Sequence, residues 1–140
     1  MEHYISRDKT KLDIQRIHSE IGSTYWGLDR TLEETLKTIK ACICFGLYDR
    51  THSQIGYTRL LTDRVTFAYL MDVIIFDPHK GKGLGKALVG HILDSREVRD
   101  IKTVALKTLD AHGLYESFGF KPIGASDIWM AIDRTKYTLS

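Results

Sequence analysis

The feature that most constrains this chain is a strand, a turn and a helix that follow one another near its centre. Residues 67–76 read Phe-Ala-Tyr-Leu-Met-Asp-Val-Ile-Ile-Phe, so that apolar side chains occupy both alternating sets of positions except at Asp72. This pattern is typical of a central strand whose two faces are both covered. A glycine-rich turn follows, then apolar residues at helical spacing over 84–95 and a strand pattern at 103–107. Because a helix connects the two strands, we expect them to be parallel.

The rest of the chain predicts mostly antiparallel strands around that unit. Thr31 and Glu34 form a capping box, which marks the start of a helix, and the polar turn at 49–53 separates the two strands of a hairpin. Together the patterns predict an α/β (α+β) fold with a mixed, mostly antiparallel central sheet flanked by helices, in the order βααβββαβαββ. The predicted strands are 3–7, 42–48, 54–61, 65–76, 103–107, a strand from Phe120 and 129–132, and the predicted helices are 11–21, 31–40, 84–95 and 113–118.

The first predicted helix is amphipathic. Ile14, Ile17 and Ile21 share one stripe of the helix. Arg16 and Glu20 lie opposite that stripe, on what the pattern indicates is the polar face.

The length and net charge of the chain argue against several classes of protein. With 140 residues, 43% of them hydrophobic, and no linker or change of composition, the chain is expected to form a single domain over 1–140. The net charge of +2 is small for a nucleic-acid-binding domain, so we expect no nucleic-acid partner. No apolar stretch approaches membrane-spanning length and no leader pattern follows Met1, which predicts a cytoplasmic protein without a membrane partner.

Cys42 and Cys44 are the only cysteines of the chain. On an extended strand their side chains point to the same face, with poor geometry for a disulfide between them. No histidine stands close enough in sequence to complete a zinc-ligand pattern. We therefore expect two buried thiols and no metal site.

The turn at 80–86 reads Lys-Gly-Lys-Gly-Leu-Gly-Lys. Its alternate glycines permit positive φ and close approach of a ligand, while its lysines and the N-terminus of the next helix favour a polyanion such as a pyrophosphate. A tight turn with solvated lysines is the alternative. A Walker A loop needs glycine at position 80 and Ser or Thr at position 87, where Lys80 and Ala87 stand. The dinucleotide-binding spacing G-x-G-x-x-G is disfavoured too, since these glycines are spaced G-x-G-x-G.

Residues 72–88 and the motif Leu-Tyr-Glu-Ser-Phe-Gly-Phe at 114–120 resemble the two cofactor motifs of the GCN5-related N-acetyltransferase (GNAT) superfamily. With the order of elements, the resemblance covers essentially the whole chain. It implies a GNAT-like fold, acetyl-CoA (coenzyme A) as cofactor, and acetyl transfer to a primary amine of a small molecule or peptide by direct attack in a ternary complex. A non-catalytic module that binds or senses acyl-CoA is the alternative function, and a homodimer is compatible with either.

The resemblance also implies which residues hold the cofactor. The superfamily signature (Q/R)-x-x-G-x-(G/A) corresponds to Lys80, Gly83 and Gly85, with lysine in place of the usual Gln or Arg. The strand before the turn is expected to splay from the strand at 104–107 and to pair with pantetheine, and Thr108 stands where the superfamily often has asparagine. The implied cofactor-binding residues are Val73, Ile74, Ile75, Lys80, Gly81, Lys82, Gly83, Leu84, Gly85, Lys86 and Thr108.

Two residues are candidates for the catalytic acid and base. Tyr115 falls where the superfamily places a tyrosine that protonates or hydrogen-bonds the departing thiolate, and the alternative is an aromatic residue packed beneath the last strands. Asp72 is the one carboxylate of its strand, and the resemblance implies that it takes a proton from the acceptor amine. The alternative for Asp72 is a structural role, bonded to nearby backbone or to Arg59.

The loop between the first two predicted helices carries two large aromatic residues, Tyr25 and Trp26, where a solvent loop normally has small polar ones. In the superfamily this loop commonly covers the acyl end of the cofactor. The resemblance therefore implies that Tyr25, Trp26, Arg30 and Tyr69 shape the acceptor site. In the alternative interpretation, Tyr25 and Trp26 fill the core beneath the loop.

Overall fold

A computed structural model of the protein describes residues 2–136 and contains one five-stranded sheet. The strands are β1 His3–Ser6, β2 Ile43–Asp49, β3 Gln54–Thr62, β4 Phe67–Ile75 and β5 Thr103–Ala105. The helices are α1 Ile14–Gly22, α2 Leu32–Ala41, α3 Leu84–Asp94 and α4 His112–Glu116.

The strands lie in the order β1-β2-β3-β4-β5, and all neighbours are antiparallel except β4 and β5, which are parallel. The helix α3 connects these two parallel strands, as the sequence predicts. The mixed, mostly antiparallel sheet with its helices confirms the predicted fold class.

Side-chain caps fix where α1 and α2 begin. The α1 helix starts directly after Asp13, whose side chain accepts a hydrogen bond from the first turn, because residues 9–11 form a separate 3₁₀ turn. This start lies later than the sequence predicts. Thr31 and Glu34 form the predicted capping box at the start of α2, each side chain accepting from the other residue's backbone N–H.

An apolar core lies between the sheet and the pair α1 and α2. Tyr57 is fully buried in it, and the Cys44 Sγ lies 3.3 Å from the Tyr57 hydroxyl. Burial raises the pKa of both groups. Cys42 and Cys44 are buried free thiols, as predicted. The core cluster consists of Ile17, Ile21, Ile39, Cys44, Tyr57, Ile74 and Phe76.

The chain divides into two compact units, one ending at Lys107 and the other beginning at Thr108. The second unit contains α4, where the rings of Tyr115 and Phe120 make an edge-to-face contact with centroids 5.9 Å apart. Among residues 2–136, every helix is too short or too polar to cross a lipid bilayer.

The last two predicted strands are not formed. Residues 120–136 contain no strand, so the observed order is βααβββαβα over the described part of the chain. The apolar run at 129–132 is short, and Met130 is 93% exposed. Local preference for extended backbone does not make a strand by itself, because the ladder needs a hydrogen-bonded neighbour.

Candidate active site

The glycine-rich turn after β4 has the backbone conformation that its sequence predicts. Gly81 and Gly83 both lie in the left-handed region, with φ of 80° and 77°. A Cβ at either position would have no protein atom within 4 Å, so the positive φ, rather than space inside the protein, requires glycine. Residues 80–83 are exposed, which leaves the backbone of this part of the turn accessible to a ligand, whereas Leu84 is buried.

The α3 helix begins without a side-chain cap. Gly83 is the N-cap residue and has no side chain that could accept a hydrogen bond. Within residues 2–136, no group accepts from the N–H groups of Leu84, Gly85 or Lys86. Since the first turn of a helix has no internal acceptors and carries the positive end of the helix dipole, this end of α3 suits an anion.

Three exposed lysines add positive charge to the turn. Lys80 Nζ lies 3.4 Å from the Asp77 carboxylate, in a pair whose side chains are 55% and 70% exposed. Such a surface ion pair contributes little to stability, so the Lys80 ammonium group can leave the carboxylate for an oxygen of a ligand. Lys82 lies between Gly81 and Gly83, just before the helix start, and Lys86 lies in the first turn of the helix. This stretch of chain therefore combines exposed positive charges with the backbone donors of the helix start.

A buried carboxylate from α1 binds the backbone of Asp77, just before this turn, a contact that the sequence did not reveal. Glu20 is only 8% exposed, although its pattern places it on the polar face of α1. Its Oε1 accepts from Arg16 Nε at 3.0 Å and from the Asp77 backbone N–H at 3.1 Å. Arg16 also donates to the Asp77 carbonyl and lies 5.1 Å from the Phe76 ring centroid. The i,i+4 spacing of Arg16 and Glu20 was the available signal.

The β4 strand contains a β-bulge at Asp72. Tyr57 and Arg59 are two residues apart on β3, whereas their partners on β4, Ile74 and Met71, are three apart. Asp72 is the left-handed residue of the bulge, with φ of 54°. Because one extra residue shifts the alternation of a strand, the side chains after the bulge change face. Ile74 thereby joins the core beneath α1 and α2.

The Asp72 carboxylate is buried between two arginines. Arg30 donates to it from both terminal nitrogens, at 3.0 and 3.2 Å, and Arg59 Nε donates at 2.7 Å. Burial acts to lower the pKa of Arg59, but the charge and hydrogen bond of Asp72 outweigh it and raise that pKa. Guanidinium donors occupy three of the carboxylate's roughly four acceptor positions. This geometry favours the structural role for Asp72, and the base role stays a prediction.

The edge of β4 that faces β5 is paired over only part of its length. The parallel ladder joins residues 67–69 with 103–105 and extends no further within the described chain. Beyond it, Val73 and Ile75 are half-buried, while the Ile74 side chain is buried in the core. The backbone of this stretch therefore has the open edge that the predicted splay between the strands requires.

The predicted acceptor residues lie in two places. Trp26 packs against the core cluster, and the Arg30 guanidinium lies 5.9 Å from its ring centroid. Tyr25, on the same loop, is 39% exposed, so the core-filling alternative fits Trp26 and not Tyr25. Tyr69 is half-buried, at the last position of β4 that pairs with β5. The structure thus brings Trp26, Arg30 and Asp72 together.

Thr108 and Tyr115 belong to the second unit. The Thr108 hydroxyl accepts from the Ala111 backbone N–H at 3.0 Å, just before α4 begins. Tyr115 is 8% exposed, with its ring against Phe120. These contacts lie within that unit, and the roles predicted for Thr108 and Tyr115 stay predictions.

Comparison with known proteins identifies the family. The family model described as "Acetyltransferase (GNAT) domain" matches residues 40–122. A protein of Gibberella zeae named "Putative acetyltransferase" is 30% identical over an alignment of 104 residues that covers 61% of this chain. The match spans 59% of that protein's own length.

Solved structures share the fold. A "putative acetyltransferase belonging to the gnat family" from Xanthomonas campestris pv. campestris is 32% identical, with a TM-score of 0.84 and coverage of 94% of each chain. The glucosamine-6-phosphate N-acetyltransferase of Arabidopsis thaliana is 17% identical, with a TM-score of 0.63 and coverage of 98% of this chain and 99% of its own. The latter likeness shows the fold alone. The family match over more than half of the chain and the fold shared with these proteins show that this chain belongs to the GNAT acetyltransferase family.

Proposed function

We propose that this chain is an acetyl-CoA-dependent N-acetyltransferase, a single catalytic domain over 1–140, that acetylates a primary amine of a small molecule or peptide. The observation that carries the proposal is the turn at 80–86, where left-handed glycines lead into an uncapped helix end beside an open strand edge. Backbone donors, a helix dipole and lysine side chains together suit the pyrophosphate of coenzyme A.

In this proposal, one continuous stretch of the chain holds the cofactor. When bound, acetyl-CoA supplies an acetyl group activated as a thioester. The open edge at 73–75 pairs with the pantetheine arm, and the turn at 80–86 binds the pyrophosphate through its N–H groups and lysines. Thr108 is the remaining candidate contact, from the second unit.

The chain's own groups support direct attack by the amine in a ternary complex. The two thiols, Cys42 and Cys44, are buried, which disfavours an acyl-cysteine on this chain. Tyr115 Oη would donate a proton to the departing thiolate sulfur and regain one from solvent, since tyrosine and alkyl thiols have ordinary pKa values close enough for that transfer. The proton that the attacking nitrogen loses goes to water or to Asp72, and the arginines on both Asp72 oxygens make water the stronger candidate.

The acceptor amine is proposed to bind near the loop between α1 and α2. Tyr25, Trp26, Arg30 and Tyr69 are the residues proposed to shape its site. The Arabidopsis thaliana protein with the same fold is named for N-acetylation of an amino sugar phosphate, which supports the capacity of the scaffold for transfer to nitrogen. That likeness carries no substrate to this chain.

An acetyl-transfer assay that reads free CoA thiol tests the function. The protein is offered acetyl-CoA with polyamines, amino acids, aminoglycosides, aryl amines and peptide N-termini in turn. We expect amine-dependent thiol release with at least one class, and an acetylated product by mass spectrometry. A calorimetric titration with acetyl-CoA separates the other outcomes. Binding without turnover indicates the acyl-CoA-sensing module, and no binding contradicts both functions.

A further inference from the structure

Asp72 combines two features that strand residues rarely combine. It adopts the left-handed conformation, with φ of 54°, and its buried carboxylate binds two arginines. A non-glycine residue in this conformation is strained and persists only where its surroundings fix it. The contacts of Asp72 therefore indicate which part of the structure depends on its left-handed conformation.

Four hydrogen bonds fix the bulge. Arg30 donates two of them to Asp72 and Arg59 donates a third. The fourth joins Thr58 Oγ1 to the Met71 carbonyl at 2.8 Å, which satisfies an acceptor next to the irregular step of the ladder. The Arg30, Arg59 and Asp72 side chains are 17%, 10% and 3% exposed, so water competes weakly for these bonds.

The bulge lies between the paired and the open part of the β4 edge. Pairing with β5 ends at Tyr69, and the edge proposed to hold pantetheine begins at Val73. An extra residue at this point rotates the strand and re-aims the backbone and side chains that follow it. The conformation of Asp72 therefore determines how residues 73–75 present their backbone groups.

The arginines connect the bulge to other elements. Arg30 lies at the end of the loop between α1 and α2, directly before the capping box of α2, and its guanidinium also lies over Trp26. Arg59 Nη1 donates to Cys42 Sγ at 3.4 Å, and Cys42 is the C-cap residue of α2. Through these two arginines, hydrogen bonds connect Asp72 to residues at both ends of α2.

We propose that Asp72 is a positioning residue whose clamp by Arg30 and Arg59 holds the left-handed step of the β4 bulge. The clamp keeps the edge at 73–75 open to the cofactor and ties the acceptor loop to that edge. This inference rests on the proposed function, because acetyl-CoA is the ligand that the edge would hold.

Asp72→Gly and Asp72→Ala form a matched pair for the test. Both variants remove the carboxylate, so loss of a base or of the ion pairs affects them alike. They differ in backbone preference, since glycine adopts positive φ freely and alanine does not. We expect Asp72→Ala to bind acetyl-CoA about tenfold more weakly than Asp72→Gly, and its amides at 73–75 to exchange hydrogen faster. In an ordinary strand glycine is the more disruptive residue, so this order is specific to a left-handed site. Equal affinity and equal exchange in the two variants overturn the proposal.

Arg30→Met tests the contact between Asp72 and the loop that connects α1 and α2. This variant also keeps the proposal testable if Asp72→Ala does not fold. The control is Arg50→Met, at an exposed arginine of the β2–β3 turn. We expect Arg30→Met, and not the control, to raise KM for the amine severalfold while the pH profile of kcat/KM keeps its shape. If Asp72 were the base, loss of a neighbouring positive charge would move the acidic limb of that profile to higher pH. Such a shift overturns the positioning role.

Binding of acetyl-CoA to the unmodified protein is measured first, so that the two hypotheses fail separately. No binding there contradicts the proposed function. The hydrogen-exchange comparison of Asp72→Gly with Asp72→Ala needs no cofactor and still decides whether the left-handed conformation at position 72 shapes the edge. Faster exchange at 73–75 in the alanine variant supports the proposal, and identical exchange overturns it.

Discussion

Gly83 is the residue at which a special backbone conformation and a helix end coincide. Its φ is 77°, and it is the N-cap of α3. An aspartate here would add a negative charge, and its carboxylate is well suited to accept from the N–H groups of the first helical turn. Those donors are the ones proposed to hold the pyrophosphate, so side chain and cofactor would compete for them.

We therefore expect Gly83→Asp to weaken acetyl-CoA binding by more than about tenfold in a calorimetric titration. Gly124→Asp is the control, because it adds the same charge at an exposed glycine that has no atom within 4 Å of a Cβ and no positive φ. A folded Gly83→Asp protein with unchanged affinity would contradict the assignment of the turn.

Tyr115 is the residue on which the proposed chemistry depends most. Tyr115→Phe removes one oxygen and preserves the ring that packs against Phe120. We expect kcat to fall by about 10²-fold, the effect of a positioned general acid, with little change in acetyl-CoA affinity. Tyr4→Phe is the control, since it removes a hydroxyl bonded to His52 at the far end of the sheet order. Full kcat in Tyr115→Phe would mean that the thiolate leaves without this proton.

At the scale of elements, a buried carboxylate strengthens the link between α1 and the segment that follows β4. Glu20 accepts from both Arg16 and the Asp77 backbone, and its removal would leave a partly buried N–H without its acceptor and the Arg16 guanidinium without its carboxylate partner. Such losses typically cost about 1–3 kcal/mol.

We expect Glu20→Ala to lower the free energy of unfolding, measured with urea, by about 1–3 kcal/mol. Glu33→Ala on α2 is the control, because its ion pair with Lys37 is exposed, at 78% and 75%. That change should stay within about 0.5 kcal/mol. Equal losses in the two variants would show that the contact of Glu20 with Asp77 adds nothing to stability.

For the molecule as a whole, buried tyrosines set an alkaline limit to stability. Burial, with a smaller effect from the neighbouring Tyr4, raises the pKa of Tyr48 to about 12. Burial likewise raises that of Tyr57. In the unfolded chain both hydroxyls titrate near their ordinary value of about 10. Since the fold favours the neutral forms, their contribution is complete below pH ~10 and is lost as the pH rises toward the folded values.

The protein should accordingly lose its circular dichroism signal between about pH 10 and 12. The buried tyrosines should ionise in the same range, above the pH at which exposed tyrosines ionise. Tyr48→Phe should move this transition to higher pH. It should cost little at neutral pH, because the Tyr48 hydroxyl is buried without a hydrogen-bond partner in the described residues. Ionisation of every tyrosine near pH 10 with the fold intact would contradict this expectation.

The sequence by itself determined the features whose causes are local. The glycines of 80–86 permit positive φ, which Gly81 and Gly83 adopt, and Thr31 and Glu34 form a capping box within a single helical turn. The apolar run before the turn predicts a covered strand by its period alone. These patterns were sufficient for the fold class and for the proposed cofactor turn.

Only the tertiary structure decided the features that depend on partners distant in the chain. Arg30 and Asp72 are 42 residues apart and Glu20 and Asp77 are 57 apart, so the sequence next to either acid does not reveal these two contacts. The bulge is a property of two strands in register, and the strand predicted at 129–132 is not formed in the described chain. A strand, a bulge and a buried charge each need a partner that only folding brings close. The periodicity of apolar residues along the sequence does not identify that partner.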